Sequence, residues 1–320
     1  MISRVVTVGE ALAVLRNPPD EPSWLARELI LGTGGAEGNV AMALARSGVP
    51  VRWIGRVGAD AMGRRVAREL RAEGVEVRAI QDGEHPTGLL LKDTSADGRT
   101  RVVYYRKGSA GSRLSEADVA EEPLDAGTLL HLTGITPALS ESARAAAALL
   151  LDRAEESGST VSFDVNHRAR LWGAEDAAAV YRAIAARAAV LFASVDEVPL
   201  LLPGWQGTDP AAAATALAEA GHGHVVVTAG ARGAAALRDG ASYIQPAVPV
   251  RVVDTVGAGD AFVAGYLARL IAGDDPAAAL ARGALLGAAA CRHPGDWEGA
   301  ADLDGLDPDI DPDPADPVSR

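Results

Sequence analysis

Short apolar runs alternate with Ala/Leu/Arg-rich stretches along this chain. Val5–Val8, Val51–Ile54, Leu129–Leu132, Val161–Phe163, Val190–Phe192 and Val225–Thr228 are brief and nearly continuous in apolar residues. Such runs suit strands buried on both faces, as in a parallel sheet. Between them, Asn39–Arg46, Gly63–Ala72, Glu141–Glu156, Asp176–Ala186 and Pro210–Ala220 read as helices. The alternation predicts a single α/β domain over residues 1–301, with a mainly parallel central sheet and helices on both faces. Residues 11–33 and 86–112 break the rhythm with β-type patterns and no long helix, and predict a small antiparallel lid over one end of the sheet. A last β-type run, Val250–Val253, precedes an apolar helical run, Ala261–Ile271.

Charge changes this picture at the C-terminal end. Seven Asp interleaved with Pro fall between Asp302 and Asp316, so residues 302–320 are expected to form a disordered acidic tail. The formal net charge of −13 argues against a nucleic-acid partner, which would call for a basic face. No run approaches the roughly 20 apolar residues of a membrane span. The first residues read as a buried strand rather than a secretory signal. Cys291 is the only cysteine, so no internal disulfide is available and a reducing cytoplasm is the expected compartment. On so acidic a chain, an anionic substrate would require its own local cluster of Arg and Lys.

The most specific string is Asp254-Thr255-Val256-Gly257-Ala258-Gly259-Asp260. A Gly-Ala-Gly turn at a helix start leaves backbone N–H groups free, with no side chain in the way, and the helix dipole favours negative charge there. A carboxylate at Asp260 would stand beside a bound phosphate and can accept a proton from an attacking hydroxyl. A capped helix start with a glycine turn is the competing reading of a bare G-x-G-D, since Asp is a common cap. The full string is more specific than that.

This string resembles the C-terminal signature of ribokinase-like (phosphofructokinase-B) carbohydrate kinases. A second element of that family is similar to Gly34-Gly35-Ala36-Glu37-Gly38-Asn39-Val40-Ala41. The spacing of Gly32, Gly34 and Gly38 also suggests a dinucleotide loop, but such a loop should end the first strand, which here ends near Gly9. The resemblance runs from Val5 to about Ala300 and implies a ribokinase-like fold with a β-sheet lid. It implies Asp260 as catalytic base, with the N–H groups of Gly257, Ala258 and Gly259 stabilising the transferring phosphoryl group. It implies sugar contacts from Gly35 and Asn39. Thr228, Gly230 and Gly233 match the family's nucleotide loop, and Asn166, Arg168, Ser194, Gly257 and Gly259 are further ATP-binding candidates. ATP as co-substrate and Mg2+ follow from the same resemblance, with a monovalent cation as a further candidate. Ser194-Val195-Asp196-Glu197 stands where relatives carry Asn-x-x-Glu near magnesium. Glu197 would act there through metal-bound water, while Asp196 and Glu197 fit equally as first-turn helix carboxylates.

Tyr104-Tyr105-Arg106-Lys107-Gly108, Asp164-Val165-Asn166-His167-Arg168, His131–Ser140 and Gly295-Asp296-Trp297-Glu298 are similar to the 2-keto-3-deoxygluconate kinases of this family. That resemblance implies transfer to the C6 hydroxyl of a sugar acid. Arg106 would hold the substrate carboxylate through paired charge-assisted hydrogen bonds, and Tyr104, Arg168 and Asp296 would be further sugar contacts. Cross-strand packing accounts equally for Tyr104, and a solvated lid charge is the alternative for Arg106. His131 and His167 read as hydrogen-bonding residues, with no spacing that suggests a transition metal. Relatives often carry Thr-Gly-Leu-Tyr where this chain has Thr87-Gly88-Leu89-Leu90. Leu90 supplies no hydroxyl, which leaves a neutral sugar such as fructose or ribose as the alternative acceptor. A sugar- or nucleotide-binding protein without turnover is a further reading, and the intact Gly257–Asp260 turn argues against it. Exposed lid edges would pair with a second copy, so a homo-oligomer is expected.

Overall fold

The computed structural model describes residues 1–18, 21–95 and 100–300. The predicted acidic tail, 302–320, lies outside the described residues. The chain opens with β1 (Arg4–Val8), β2 (Leu12–Arg16), β3 (Ile30–Gly34), α1 (Ala36–Arg46), β4 (Val51–Gly58), α2 (Ala61–Ala72), β5 (Glu76–Asp82), β6 (Leu89–Thr94) and β7 (Thr100–Tyr105). It continues with the single turn α3 (Glu116–Val119), β8 (Thr128–Thr133), the single turn α4 (Thr136–Leu139), α5 (Glu141–Ser157), β9 (Thr160–Asp164) and α6 (Ala174–Ala185). Next come β10 (Val190–Ser194), the single turn α7 (Val198–Leu201), α8 (Pro210–Glu219), β11 (His224–Thr228), β12 (Ala234–Arg238) and β13 (Ala241–Gln245), and last α9 (Ala258–Ile271) and α10 (Pro276–Cys291).

Nine strands form one sheet in the order β13-β12-β11-β10-β9-β8-β1-β4-β5, parallel from β11 to β5. All six predicted apolar runs lie in its parallel part. Their side chains alternate between two buried faces: Val5, Phe192 and Val226 pack under α1, α9 and α10, while Val6, Leu191 and Val225 pack under α5, α6 and α8. Each buried branched or aromatic side chain of this kind contributes about 1.5–3 kcal/mol of transfer free energy. Among the described residues, no helix is long and apolar enough to cross a membrane.

Two expectations are corrected. Val250–Val253 is not a strand. Pro246 and Pro249 remove donors beside it, Val252 and Val253 are exposed, and the N–H groups of Val253 and Asp254 donate to the carbonyl of Cys291 at the end of α10. The antiparallel edge is instead the hairpin β12–β13, whose turn places Asp239 and Gly240 at φ 52° and 79°, as a two-residue hairpin loop requires. The lid is also not wholly antiparallel. Its order is β3-β2-β6-β7, with β2 and β6 parallel. Both follow parallel strands of the main sheet, β1 and β5, out of the same end, so they run the same way.

Local chemistry fixes where the site elements start. Asp60, Ser140, Asp209 and Asp275 cap α2, α5, α8 and α10 through their side chains. Neither α1 nor α9 has a side-chain cap. Glu37 in α1 is buried at the end of β8 and accepts hydrogen bonds from the hydroxyls of Thr133 and Thr136 at 2.6 and 2.7 Å. Burial pushes its carboxyl above the usual carboxylate range, against the pull of those hydroxyls. This anchor sets the start of α1, and so the place of Asn39.

Candidate active site

Gly257 caps α9 in the left-handed region, at φ 82°. A side chain there would begin 1.8 Å from the backbone oxygen of Asp296, so only glycine fits. Asp254 Oδ1 accepts from the Val256 N–H at 3.0 Å and shapes the turn before it. The first turn of a helix lacks intrahelical acceptors for its N–H groups, and the space beside Gly259 is open for 4 Å. The Ala258 N–H turns back to the Thr255 carbonyl at 3.3 Å. Gly257 and Gly259 are therefore better placed than Ala258 to meet an anion.

Asp260, in the same turn, is 7% exposed. Its Oδ2 accepts from Asn39 Nδ2 at 2.7 Å and its Oδ1 from Asn166 Nδ2 at 3.3 Å. Burial pushes the carboxyl above its ordinary value, opposed by the Asn39 hydrogen bond, the Arg168 charge and the Asn166 hydrogen bond. Asn39 Oδ1 is buried and has no partner, an acceptor awaiting a donor at the pocket wall. Asn166 holds φ 36°, uncommon for a residue with a side chain, and also donates to Asp164 Oδ2 at 3.1 Å. Burial first, then the negative charges of Glu197 and Asp260, drive the Asp164 carboxyl well above the carboxylate range.

Two cavities meet at Asp260. The smaller, about 50 Å³, lies under the lid among Gly35, Asn39, Leu90, Tyr104, Arg106 and Asp296. Gly35 sits at φ 127°, where a side chain would strike the Glu10 carbonyl at 2.4 Å. Arg106 is buried and does not stand free. Its Nε and Nη2 reach Glu10 Oε2 at 2.6 and 2.5 Å, Ser109 Oγ donates to Glu10 Oε1, and the guanidinium stacks on Tyr104 at 5.3 Å. The Nε edge is thus committed to Glu10, and Nη1 is left for a ligand. Glu10, just past β1, was not singled out by the sequence; its position after the first strand, beside Gly9, was the available signal.

The larger cavity, about 400 Å³, extends over the start of α9 among Asn166, Arg168, Ser194, Glu197, Thr228 and Gly259. Gly230 and Gly233 do not line it. Gly233 packs against the Gln245 carbonyl and serves the β12–β13 hairpin. Glu197 accepts from the His167 N–H at 2.6 Å and the Ser194 N–H at 2.7 Å, bracing the two loops that floor the cavity. Among the described residues no group of three or more acidic, His or Cys side chains could hold a metal. Asp164 and Glu197 suit a magnesium ion held mainly by phosphates and water, the usual habit of that ion. His131 hydrogen-bonds Ser162 Oγ at 2.9 Å in the core, where burial lowers its pKa to about 3. His167 hydrogen-bonds the Tyr181 hydroxyl at 3.0 Å.

A third cluster was not foreseen. Lys92 of lid strand β6 is buried, with its Nζ 2.6 Å from Asp254 Oδ2 and 2.5 Å from Asp296 Oδ1. Burial raises the Asp296 carboxyl to about 6, against the opposing charge of Lys92.

Comparison with known proteins agrees with this geometry. The model of the pfkB family carbohydrate kinases matches residues 3–301. The chain is 36% identical to a 2-dehydro-3-deoxygalactonokinase of Haloferax volcanii, over 90% of this chain and 91% of the relative. It is 36% identical to a 2-dehydro-3-deoxygluconokinase of Bacillus subtilis, over 92% of this chain and 91% of the relative. Fructokinase from Vibrio cholerae O395, solved with fructose, ADP and calcium bound, superposes with a TM-score of 0.82 at 29% identity, covering 95% of this chain and 98% of that one. With the nine-stranded sheet, the smaller lid sheet and the Gly257–Asp260 turn in place, the chain belongs to the pfkB family of carbohydrate kinases and has their ribokinase-like fold.

Proposed function

We propose that this enzyme transfers the γ-phosphoryl group of ATP to the C6 hydroxyl of 2-keto-3-deoxygluconate. The observation that carries this reading is the placement of Asp260, oriented by two amides where the small lid cavity opens into the larger one. Asp260 takes the hydroxyl proton as the sugar oxygen bonds to the γ-phosphorus, and the bond from that phosphorus to the ADP oxygen breaks. The carboxyl is raised above its ordinary value, which strengthens it as a proton acceptor near neutral pH. The N–H groups at Gly257 and Gly259 face the charge on the phosphoryl group, and positioning plus electrostatics is what this transfer needs. Magnesium would neutralise phosphate charge beside Asp164 and Glu197. Asn39 Oδ1 accepts a sugar hydroxyl, Gly35 lets the sugar approach the backbone, and Arg106 Nη1 with Arg168 meets the carboxylate. Closing the lid over this pocket excludes water.

A neutral acceptor is the second reading, favoured by the Arg106–Glu10 pair, which already neutralises the guanidinium. Measuring ADP formation with 2-keto-3-deoxygluconate, its galactonate epimer, fructose and ribose in parallel separates the two. A kcat/KM for a sugar acid at least about 10-fold above the neutral sugars, the low end of a charged hydrogen bond worth about 1.5–3 kcal/mol, is the expected result. Preference for fructose or ribose would overturn the acid assignment and leave the base in place. We assign the enzyme to the cytoplasm on its single thiol, and a homo-oligomer on the outer lid strands β3 and β7, each paired on one side in this structure.

A further inference from the structure

The lid cavity has two unlike ends. At one end Asn39 meets Asp260 at 2.7 Å, beside Gly257. At the other, Arg106 is held by Glu10 and stacks on Tyr104. The wall next to the Arg106 end is apolar. Leu12 and Leu90 are 2% and 3% exposed, line the cavity, and pack with Val14 and Tyr104. Strand register explains this placement. Leu90 stands opposite Tyr104 in β7 and opposite Val14 in β2. Leu12 is two residues before Val14, so all four side chains share one face of the lid sheet. A side chain at Gly88 would begin 2.5 Å from Leu12 Cδ2 and 2.7 Å from Glu10 Oε1. The Leu12 methyl is therefore a close neighbour of the carboxylate that holds Arg106.

Free polar partners are scarce on this wall. Glu10 Oε2 accepts from Arg106 and Glu10 Oε1 from Ser109. Asn39 Oδ1, the buried acceptor without a partner, belongs to the Asp260 end. With C6 of the acceptor at Asp260 and its carboxylate at Arg106, as proposed above, carbon 3 lies towards the carboxylate. In 2-keto-3-deoxygluconate that carbon is a methylene, and the hydroxyls begin at carbon 4. A hydroxyl on carbon 3 would exchange water for the methyl groups of Leu12 and Leu90, and a buried hydroxyl without a partner is disfavoured.

We propose that Leu12 and Leu90 determine specificity at carbon 3 of the acceptor, as an apolar wall that accepts a methylene and disfavours a hydroxyl. The hydroxyl that Leu90 does not supply is then a selective feature of this pocket. Leu12 and Leu90 come from neighbouring parallel strands, β2 and β6, so two separate positions in the chain build the wall. This rests on the sugar-acid reading for the direction in which the acceptor lies, and the test keeps the two apart.

The experiment measures kcat/KM for four acceptors in two pairs. 2-Keto-3-deoxygluconate and 2-ketogluconate differ only in the 3-hydroxyl, as do 3-deoxyfructose and fructose. Comparison across the pairs tests the carboxylate, and comparison within each pair tests the wall, so the two claims fail separately. The unaltered enzyme is expected to favour the deoxy member by about 10- to 100-fold, the range over which an apolar pocket rejects an added hydroxyl. Leu90→Val and Leu90→Thr shorten the side chain alike, and differ in leaving a methyl or a hydroxyl. Leu90→Thr should show a deoxy preference at least about fivefold smaller than Leu90→Val, through a lower KM for the hydroxylated member. Leu12→Val and Leu12→Thr repeat the comparison from β2 should a Leu90 variant fail to fold. Equal use of both members of each pair by the unaltered enzyme overturns the proposal. So does a preference that the Thr variants keep as fully as the Val variants.

Discussion

Asp260 works through its neighbours. Burial alone would leave its carboxyl protonated further up the pH scale, and the Asn39 amide is the strongest opposing influence. Replacing Asn39 with Ala therefore moves the acid limb of the kcat/KM profile to higher pH. It also lowers kcat/KM by about 10- to 100-fold, as for a lost hydrogen bond to a charged group worth about 1.5–3 kcal/mol. A pH–rate profile checks this, and an unmoved limb would show that the amide does not hold the base. Asp260 and Asn39 were both legible in the sequence, because their strings are compact and carry their own chemistry. The link between them was not, since 221 residues separate the two side chains. Glu10 and Lys92 escaped for the same reason: each is an ordinary charge until the fold brings its partner.

At the level of elements, the start of α9 is the part most dependent on one residue type. Gly257 meets the Asp296 carbonyl, whereas Gly259 faces open space. Gly257→Ala is expected to cost about 1–3 kcal/mol of stability through backbone strain and to abolish ATP-analogue binding. Gly259→Ala is expected to fold normally and to weaken the analogue by obstructing the phosphates. Thermal melts with nucleotide titrations separate the two, and equal melting temperatures would contradict the steric account. The helix α9 was legible from its apolar run and its turn. The β12–β13 hairpin was passed over because β12, Ala-Ala-Ala-Leu-Arg, has no β-branched residue, although Asp239-Gly240 marks its turn. Val250–Val253 had the composition of a strand, but the prolines beside it leave it no sheet to join.

Across the whole molecule, the excess of acid makes the anion site a local problem. The sequence suggested a cluster of Arg and Lys, and Arg106, Arg168 and Lys92 do gather there. Two of the three are already compensated, Arg106 by Glu10 and Lys92 by Asp254 and Asp296. Net positive charge is therefore small, and on the proposed reading most of the attraction for phosphate falls to the N-terminus of α9 with Arg168. The α/β layering and the lid were legible because strands buried on both faces read as continuous apolar runs. The lid's parallel centre was not, because strand direction follows from where the main-sheet strands end.

The central claim is that Asp260 is the base at the junction of two cavities. Its most direct test is the turnover of Asp260→Asn, with sugar and nucleotide affinities measured on the same preparation. The substitution keeps the shape of the side chain, and its single amide oxygen can still accept from Asn39, the shorter of the two contacts, while the longer one from Asn166 is given up. Turnover should fall by about 10²–10⁴ while both affinities stay within about threefold, since the ligand contacts remain. Near-normal turnover with intact binding would contradict the assignment and move the proton to another acceptor.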